Sequence, residues 1–459
     1  MRLLQGTANV LTIATLVVSV GMAMRAESEQ GRQPRVESED YLHVPVPPGF
    51  RVEATESDGP VFADPRGRTL YRWPLKTLRS GDAGERRGGA PVCDDHPSTE
   101  TAGLMSPYPP GLTLPELDKR PSCTQVWPPV LASDSSMPVG KWGIVKRKDG
   151  SKQWTYDGYP LYTSSLDQQP GDVFGVASRK LQFDSPAVRE PIGPPMNVPP
   201  EFAVMQVATG RLLVTHVGFS VYTWDKDAPN KSNCTSICTQ EWRPVLAPAT
   251  VQPQGEWTII ERSPGIKQWA FRKRPLYTRV ADVRLRSFEG SDTPGWHNVY
   301  THRAPEPPKG FTVQDSASGQ VLADSHGMTI YVYACDDDSS DQLACDHPTN
   351  TQVYRFAICG GGDPMKCLQT FPPVLAPKDA KVDRRIWSVM DIDPNTGHLA
   401  APGQANALHV WAYRQRPVYT FVGDRRPGDI NADGWGEVMG WRNGFKAFWL
   451  RDDFFSNAG

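Results

Sequence analysis

The chain has 459 residues, enough for about two to four domains. Its 49 Lys and Arg residues nearly balance 51 Asp and Glu residues, and this formal charge of −2 provides no basic field, which argues against nucleic-acid binding. With 44 prolines, 40 glycines and 39% hydrophobic residues, the composition favours many short strands that are joined by turns and packed around cores.

Residues 1–26 have the layout of a cleaved signal peptide. Arg2 supplies a positive charge, and an apolar run from Val10 to Met24 ends among small residues. The run is short for a membrane span, although an uncleaved anchor is the alternative. No cysteine precedes Cys93, so the lipid-attachment cysteine of a lipoprotein is missing. We therefore expect an exported protein, periplasmic or secreted, with no membrane span in its mature form.

Three units of related sequence follow a linker at residues 27–46. Each unit opens on a Pro-Pro-x-Phe or Pro-Pro-x-x-Phe segment, which begins at Pro47, Pro199 or Pro307. Each unit then contains a Gly-x-Thr/Ser-aliphatic-Tyr segment and a Cys-x-Gln-x-Trp/Phe-x-Pro-Val-Leu-Ala segment. Such self-similarity indicates tandem repeats. It predicts unit 1 at residues 47–192, unit 2 at 193–304 and unit 3 at 305–459.

Every unit carries two copies of a Tyr-x-x-x-x-Asp frame. The tyrosines are Tyr71, Tyr162, Tyr222, Tyr277, Tyr331 and Tyr419. The aspartates are Asp167, Asp227, Asp282, Asp336 and Asp424, and the first copy has Lys76 instead. In a strand, the Tyr and the residue two positions later share a face, and the Asp then follows the strand end as a turn-former. We interpret the frame as a folding signature.

Eight cysteines follow the signal segment, and an even number in an exported chain predicts disulfides. Aligning the units pairs a loop cysteine with the one that precedes Pro-Val-Leu-Ala. The predicted pairs are Cys93 with Cys123, Cys234 with Cys238, and Cys345 with Cys367, which leaves Cys335 with Cys359 as the fourth. The alternative of metal or redox cysteines fits poorly, because the chain has no Cys-x-x-Cys pair.

No cofactor is expected, but two segments make a divalent metal a possibility. Carboxylate and imidazole side chains stand together in two cysteine loops, at Asp94, Asp95 and His96 and at Asp346 and His347. Neighbouring groups of this kind can hold a metal, and a solvated turn is the alternative. A second segment resembles the first half of a calcium loop, with oxygens at Asp429, Asn431 and Asp433. Gly440 stands where such a loop needs its bidentate Glu.

Taken together, the motifs resemble a bacterial secreted repeat of unknown function, a predicted-lipoprotein repeat with a Tyr-x-[Phe/Trp/Tyr]-x-x-Asp motif. The resemblance covers nearly all of the chain after residue 47 and is most specific at 152–162, at 218–227 and in the Pro-Gly-Asp turns at 170–172 and 427–429. It implies an exported, β-rich envelope protein and no established activity. The chain departs from the family in the missing lipoprotein cysteine, in Lys76 and in the loss of Pro-Gly-Asp from unit 2.

Short β-branched or aromatic stretches, such as 141–146, 256–261 and 445–449, predict strands, and no helical period occurs after the signal. We expect an all-β fold of three tandem repeat units of short antiparallel strands, with each unit stabilised by its own disulfides. Each unit is long enough for its own core. The alternative is a single six-bladed β-propeller.

The sequence contains no recognised catalytic motif, and we expect that the protein is not an enzyme. The expected function is that of an exported, non-catalytic envelope protein, either a ligand-binding protein or a structural scaffold. Its expected partner is an unknown envelope protein or a glycan, because Trp and Tyr residues can form binding platforms and the Pro-rich segment 105–110 can dock on a partner. The alternative is a periplasmic metal-handling or redox-associated protein that uses the Asp-His loops.

Overall fold

The structure is a computed structural model that describes residues 38–78, 81–95, 121–176, 189–335, 353–380, 382, 385–435 and 443–452. In these ranges short strands predominate over helices, so the all-β prediction is confirmed. The described strands form open antiparallel sheets of two to five strands, and no closed barrel or propeller is found among them. The signal segment, part of the predicted linker and the Pro-rich segment 105–110 lie outside the described residues.

In unit 1 the elements are β1 (Arg51–Glu53), β2 (Val61–Ala63), β3 (Tyr71–Arg72), β4 (Lys76–Leu78), β5 (Gly81–Ala83), α1 (Cys123–Val126), β6 (Leu131–Ala132), β7 (Trp142–Lys146), β8 (Lys152–Tyr156), β9 (Tyr159–Pro160) and β10 (Glu190–Pro191). In unit 2 they are β11 (Phe202–Val207), β12 (Gly210–Thr215), β13 (Tyr222–Trp224), α2 (Cys238–Glu241), β14 (Trp242–Pro244), β15 (Leu246–Ala247), β16 (Trp257–Ser263), β17 (Ile266–Phe271), β18 (Arg274–Pro275), β19 (Tyr277–Arg279), a 3-10 helix (Glu289–Asp292), β20 (Trp296–Asn298) and β21 (Tyr300–Arg303). In unit 3 they are β22 (Thr312–Ser316), β23 (Gly319–Ala323), β24 (Tyr331–Cys335), α3 (Val353–Gly360), α4 (Pro364–Thr370), β25 (Trp387–Ile392), β26 (Leu408–Tyr413), β27 (Arg416–Tyr419), β28 (Asn443–Ala447) and β29 (Trp449–Asp452).

The three units share one order of elements. A first hairpin leads to a strand that begins at a motif tyrosine, and a helix with the recurring cysteine follows. The Pro-Val-Leu-Ala segment and a second hairpin then return the chain to the other motif tyrosine. The two motif tyrosines of a unit lie directly opposite each other on antiparallel neighbours, as Tyr71 with Tyr162, Tyr222 with Tyr277, and Tyr331 with Tyr419. The two copies of the frame therefore meet at the centre of each unit.

Two hydrophobic clusters recur in all three units. One cluster packs the phenylalanine of the Pro-Pro opening against two tryptophans of the second hairpin, so Phe202 contacts Trp257 and Trp269 with ring centroids 4.7 and 6.1 Å apart. Phe50 and Phe311 make the same contacts in units 1 and 3. The other cluster surrounds the motif tyrosines and a disulfide. The Pro-Pro opening recurs because its phenylalanine completes the first cluster.

The described residues nevertheless form one compact body. Residues 38–46, which the sequence places in a linker, are part of it. Glu39 is buried and binds Arg211 of unit 2, while Val44 and Val46 pack against a cluster of unit 1. The units therefore contact one another besides having their own cores.

Candidate functional site

Each first-half tyrosine donates its hydroxyl hydrogen to the aspartate of the second half of the same unit. The oxygen-to-oxygen distance is 2.8 Å from Tyr71 to Asp167, 2.7 Å from Tyr222 to Asp282 and 2.7 Å from Tyr331 to Asp424. The aspartate of the frame is thus more than a turn-former, because it accepts a hydrogen bond from the tyrosine that lies across the sheet. The tyrosine of one copy of the frame therefore binds the aspartate of the other copy, and not the aspartate of its own copy.

The second-half tyrosines also have side-chain hydrogen-bond partners, and the partner differs in each unit. In unit 2, Tyr277 donates to Asp227 at 2.8 Å, which completes a symmetric exchange. In unit 1, where Lys76 interrupts the frame, Tyr162 donates to the buried Glu85 instead. In unit 3, the Arg355 guanidinium donates to the Tyr419 hydroxyl. Asp336, the aspartate that the frame predicts there, lies outside the described residues.

Burial dominates the electrostatics of these carboxylates. It raises the pKa of Asp167, Asp282 and Asp424 above the ordinary value, although the tyrosine hydrogen bond opposes the shift. For Glu85 the same cause raises the pKa to about 7. The tyrosines have raised pKa values too, chiefly because burial disfavours the phenolate. All six motif tyrosines are at most 1% exposed, so these groups hold the fold and are closed to a ligand.

In each unit, an aromatic residue follows the cysteine of the short helix by four positions, and its ring packs edge-on against the first-half tyrosine. Tyr71 meets Trp127 at 5.3 Å between centroids, Tyr222 meets Trp242 at 5.3 Å, and Tyr331 meets Phe371 at 6.2 Å. The interplanar angles are 74°, 77° and 79°, the edge-to-face geometry that aromatic quadrupoles favour. This contact connects the tyrosine pair to the disulfide segment.

The disulfide predictions hold for units 1 and 2. Cys93 is bonded to Cys123 and Cys234 to Cys238, with Cα atoms 5.3 and 5.2 Å apart. In unit 3 both predicted pairings are wrong, because Cys367 is bonded to Cys359, with Cα atoms 4.6 Å apart, and to neither predicted partner. Cys345 lies outside the described residues, and Cys335 ends β24.

The reason for the error is a helical hairpin that strand-like patterns do not indicate. Helices α3 and α4 are separated only by residues 361–363, so the last turn of α3 faces the first turns of α4. Cys359 and Cys367 are thereby brought together. Asp363 caps α4 by accepting from the backbone N–H groups of Met365 and Lys366.

An arginine from the second hairpin fixes the cysteine loop in units 1 and 2. Arg147 donates to the buried Gln153 side chain at 2.6 Å and to the Cys93 carbonyl at 2.9 Å. Arg262 donates to Gln268 at 2.7 Å and to the Cys234 carbonyl at 2.5 Å. The same three-part contact in two units shows that these polar side chains also belong to the fold.

The residues of the predicted Asp-His sites are only partly described. His96, Asp346 and His347 lie outside the described residues. Asp95 accepts a hydrogen bond from Thr124, and Asp94 lies 3.6 Å from the Lys148 ammonium. Within the described ranges, no group of three or more His, Cys, Asp or Glu side chains is placed to hold a metal ion. The Asp-His metal site stays a prediction.

The three side chains of the calcium-like segment each contact the protein. Asp429 accepts from the backbone N–H groups of Arg425 and Arg426 at 3.0 Å, and these bonds lower its pKa. Asp433 accepts from the Ala447 N–H at 2.9 Å, and the Asn431 side chain donates to the Gly423 carbonyl at 3.3 Å. These contacts fix the turn that precedes β28.

A loop of unit 1 at residues 56–58 is held by unit 3. The guanidinium of Arg414, 1% exposed, lies 2.6 Å from the Asp58 carboxylate and donates to Ser57 at 2.8 Å and to the Val173 carbonyl at 2.8 Å. The Glu56 carboxylate accepts from the backbone N–H groups at 385 and 386. The small cleft at this contact is lined by residues of units 1 and 3, and its charged side chains include the pair of Asp58 and Arg414. These side chains therefore hold the two units together. Sequence reasoning missed this contact, since these partners are 241 or more residues apart.

Unit 2 contacts the same region from another side. Arg211 of β12 binds the Glu39 carboxylate at 2.8 Å, and Thr301 of β21 donates to Glu39 at 2.5 Å. His302 donates to the Glu56 carbonyl at 3.0 Å. Arg451 of unit 3 binds Asp292 of unit 2 at 2.8 Å. Each pair of units is therefore in direct polar contact.

Fold and site together define a class: an all-β protein of repeats that each contain a disulfide and bury their recurring polar side chains. Two segments, residues 143–177 and 203–246, match the family described as a secreted repeat of unknown function, as the motifs indicated. No curated protein and no solved structure matches the chain. The family description fits an exported protein, and no helix among the described residues is long and apolar enough to cross a membrane.

Proposed function

We propose that this protein is an exported, non-catalytic scaffold that displays its surface loops to an envelope protein or a glycan. The observation that carries the proposal is the use of the recurring polar residues. Recurring tyrosines and carboxylates bind one another at 2.7–2.8 Å inside the fold. Recurring arginines bind a glutamine side chain or a carbonyl of the cysteine loop at 2.5–2.6 Å. In a catalytic site such groups are accessible to the substrate. In a scaffold they bind one another and stabilise the fold.

The proposed compartment is the periplasm or the medium, after removal of residues 1–26. Three disulfides among the described residues support an oxidising compartment. The family description of a secreted repeat supports export. Amino-terminal sequencing of the protein recovered outside the cytoplasm tests this part, since a start beyond residue 26 is expected and an intact N-terminus overturns cleavage.

Site-specific photo-crosslinking in the producing cells tests the scaffold. The crosslinking residue replaces one strongly exposed apolar side chain in each unit, at Met137 (75% exposed), Val283 (83%) or Met365 (51%). A defined adduct with one envelope protein or one glycan at some positions and not at others supports the proposal. An exported, folded protein that gives no adduct at any position overturns it.

The second candidate is a metal-handling protein, favoured by the recurrence of adjacent acid and histidine in two cysteine loops. Elemental analysis of the mature protein, prepared without chelator, separates the two functions. One bound zinc or copper per chain that is lost in His96→Ala with His347→Ala supports metal handling and overturns the scaffold as the main function. Metal content unchanged by these substitutions contradicts metal handling through these loops.

A further inference from the structure

Three tryptophans of unit 2 are stacked in a row. Trp296 of β20 lies between Trp224 and Trp242, with ring centroids 5.3 and 3.7 Å away and interplanar angles of 8° and 4°. Trp242 and Trp296 are 2% and 3% exposed, while Trp224 is only half-buried. The row therefore runs from the protein surface into the hydrophobic cluster that surrounds the motif tyrosines of unit 2.

Two tyrosines pack against the two buried tryptophans of this row. Tyr222 packs edge-on against Trp242 at 5.3 Å, and Tyr277 packs edge-on against Trp296 at 5.1 Å. Each hydroxyl donates to a carboxylate, Asp282 at 2.7 Å and Asp227 at 2.8 Å. Both tyrosines are fully buried, so a reagent in solution can reach them only through neighbouring rings.

The other units interrupt the row at equivalent positions. In unit 1 the guanidinium of Arg189 occupies the middle place, 4.0 Å from the Trp73 ring centroid and 4.7 Å from that of Trp127. In unit 3 the middle ring is Phe445, stacked on Phe371 at 3.6 Å. Indole and phenol rings lose an electron readily, whereas phenyl and guanidinium groups do not. Of the three rows, only that of unit 2 consists entirely of oxidisable rings.

We propose that the tryptophan row of unit 2 is a one-electron relay that carries an oxidising equivalent from the surface to a buried tyrosine. A one-electron oxidant at the surface takes an electron from Trp224, and electrons from Trp296 and Trp242 refill the vacancy in turn. Tyr222 or Tyr277 supplies the last electron, and its hydroxyl proton moves to Asp282 or Asp227. The balance is one oxidant reduced by one electron, one neutral tyrosyl radical formed and one carboxylate protonated.

The charges around the row favour this direction. The Lys226 ammonium lies 5.4 Å from the Trp224 ring and the Arg279 guanidinium 5.8 Å from the Trp242 ring, so positive charge on either indole is disfavoured. Proton transfer leaves an uncharged radical on the tyrosine. Burial raises the pKa of Asp227 and Asp282, which makes both carboxylates better proton acceptors than exposed ones.

Photochemical oxidation of the full mature chain tests the relay, with a ruthenium(III) polypyridyl complex generated by a light pulse as the oxidant. Transient absorption should show an indolyl radical that decays as a tyrosyl radical appears. In Trp296→Phe, which reproduces Phe445 of unit 3, the tyrosyl signal should be lost while the indolyl signal persists. Tyr222→Phe combined with Tyr277→Phe should also remove the tyrosyl signal.

The matched control is Trp257→Phe, which changes an equally buried tryptophan in the other cluster of unit 2. It should leave the tyrosyl yield unchanged. An unchanged tyrosyl yield in Trp296→Phe, or an equal loss in Trp257→Phe, overturns the relay. Should Trp296→Phe fail to fold, as judged by near-ultraviolet circular dichroism, the half-buried Trp224→Phe provides the same comparison at the surface end.

Discussion

A fully buried tyrosine needs an acceptor for its hydroxyl, and a buried carboxylate needs donors. The paired frames of units 1 and 3 satisfy both needs at once, since Asp167 and Asp424 each accept the tyrosine hydroxyl and also a backbone amide. Asp167 accepts from the Phe174 N–H at 2.8 Å, and Asp424 accepts from the Asn431 N–H at 3.0 Å. The loop that follows each second-half tyrosine is thereby fixed to the sheet.

Tyr71→Phe tests this pairing in unit 1. Removal of the hydroxyl deprives the buried Asp167 of its tyrosine donor, so the free energy of unfolding should fall by about 1–3 kcal/mol. Chemical denaturation measures the change. Tyr159→Phe, at a half-buried position in β9, is the control and should change stability by much less. Equal losses in the two variants would refute a special role for the pair.

Glu85→Gln tests whether the raised pKa of Glu85 in unit 1 makes the stability of the protein depend on pH. The pKa of Glu85 rises from the ordinary 4.5 to about 7 in the folded protein, so the folded state binds the proton more tightly. Its contribution to stability is present below pH 4.5 and is lost as the pH rises to about 7, by at most about 3 kcal/mol.

The measurement for Glu85 is the free energy of unfolding between pH 4.5 and 7. We expect the decline across this range to be smaller in Glu85→Gln than in the unsubstituted protein. Glu261→Gln, at an exposed position in β16, corrects for the loss of a surface carboxylate. A decline as steep in Glu85→Gln as in Glu261→Gln contradicts the assignment.

Among the elements, the two-residue turns between β8 and β9 and between β17 and β18 show a backbone requirement. They have positive φ at both positions, 49° and 82° at Asp157 and Gly158, 49° and 65° at Arg272 and Lys273. Such turns favour Asn, Asp and Gly. Unit 2 places Arg272 there because its guanidinium reaches the Thr301 carbonyl at 2.9 Å, so the side-chain contact compensates an unfavourable backbone.

Lys273→Gly tests the turn. Glycine adopts positive φ without strain, so the substitution should raise the free energy of unfolding by about 1 kcal/mol. The midpoint of denaturant unfolding reports the change. Gly158→Lys, the reverse change in unit 1, should lower stability, and its added Cβ atom also meets the Arg87 side chain at 2.9 Å. A loss of stability in Lys273→Gly would show that the turn is not strained.

The elements also show where sequence reasoning succeeds. Strands, repeats and two disulfides follow from local patterns, because alternation and turn residues act over a few positions. The exchange between Tyr222 and Asp282 depends on the opposing register of two distant strands, which the spacing of one frame does not contain. Glu85 lies outside the frame it completes, and the pairing of Cys359 depends on a helical hairpin.

In the whole molecule, the contact between units 1 and 3 rests on a buried ion pair. Removing one partner of a buried ion pair is costly because the other charge remains buried. Arg414→Ala leaves Asp58 and the Val173 carbonyl without this donor, so we expect a loss of about 3–5 kcal/mol. Arg426→Ala, which removes an exposed arginine paired with Asp429, is the control and should cost little. Denaturant unfolding of the two variants makes the comparison.

The central claim is that recurring polar residues fix each repeat unit internally, and that polar contacts between the units make the three units one rigid scaffold. Scanning calorimetry of the mature, disulfide-bonded chain tests it most directly. Because every pair of units is in polar contact, we predict one cooperative unfolding transition for the unsubstituted protein and a separated or broadened transition for Arg414→Ala. Two or three independent transitions in the unsubstituted protein, unchanged by Arg414→Ala, would contradict the account.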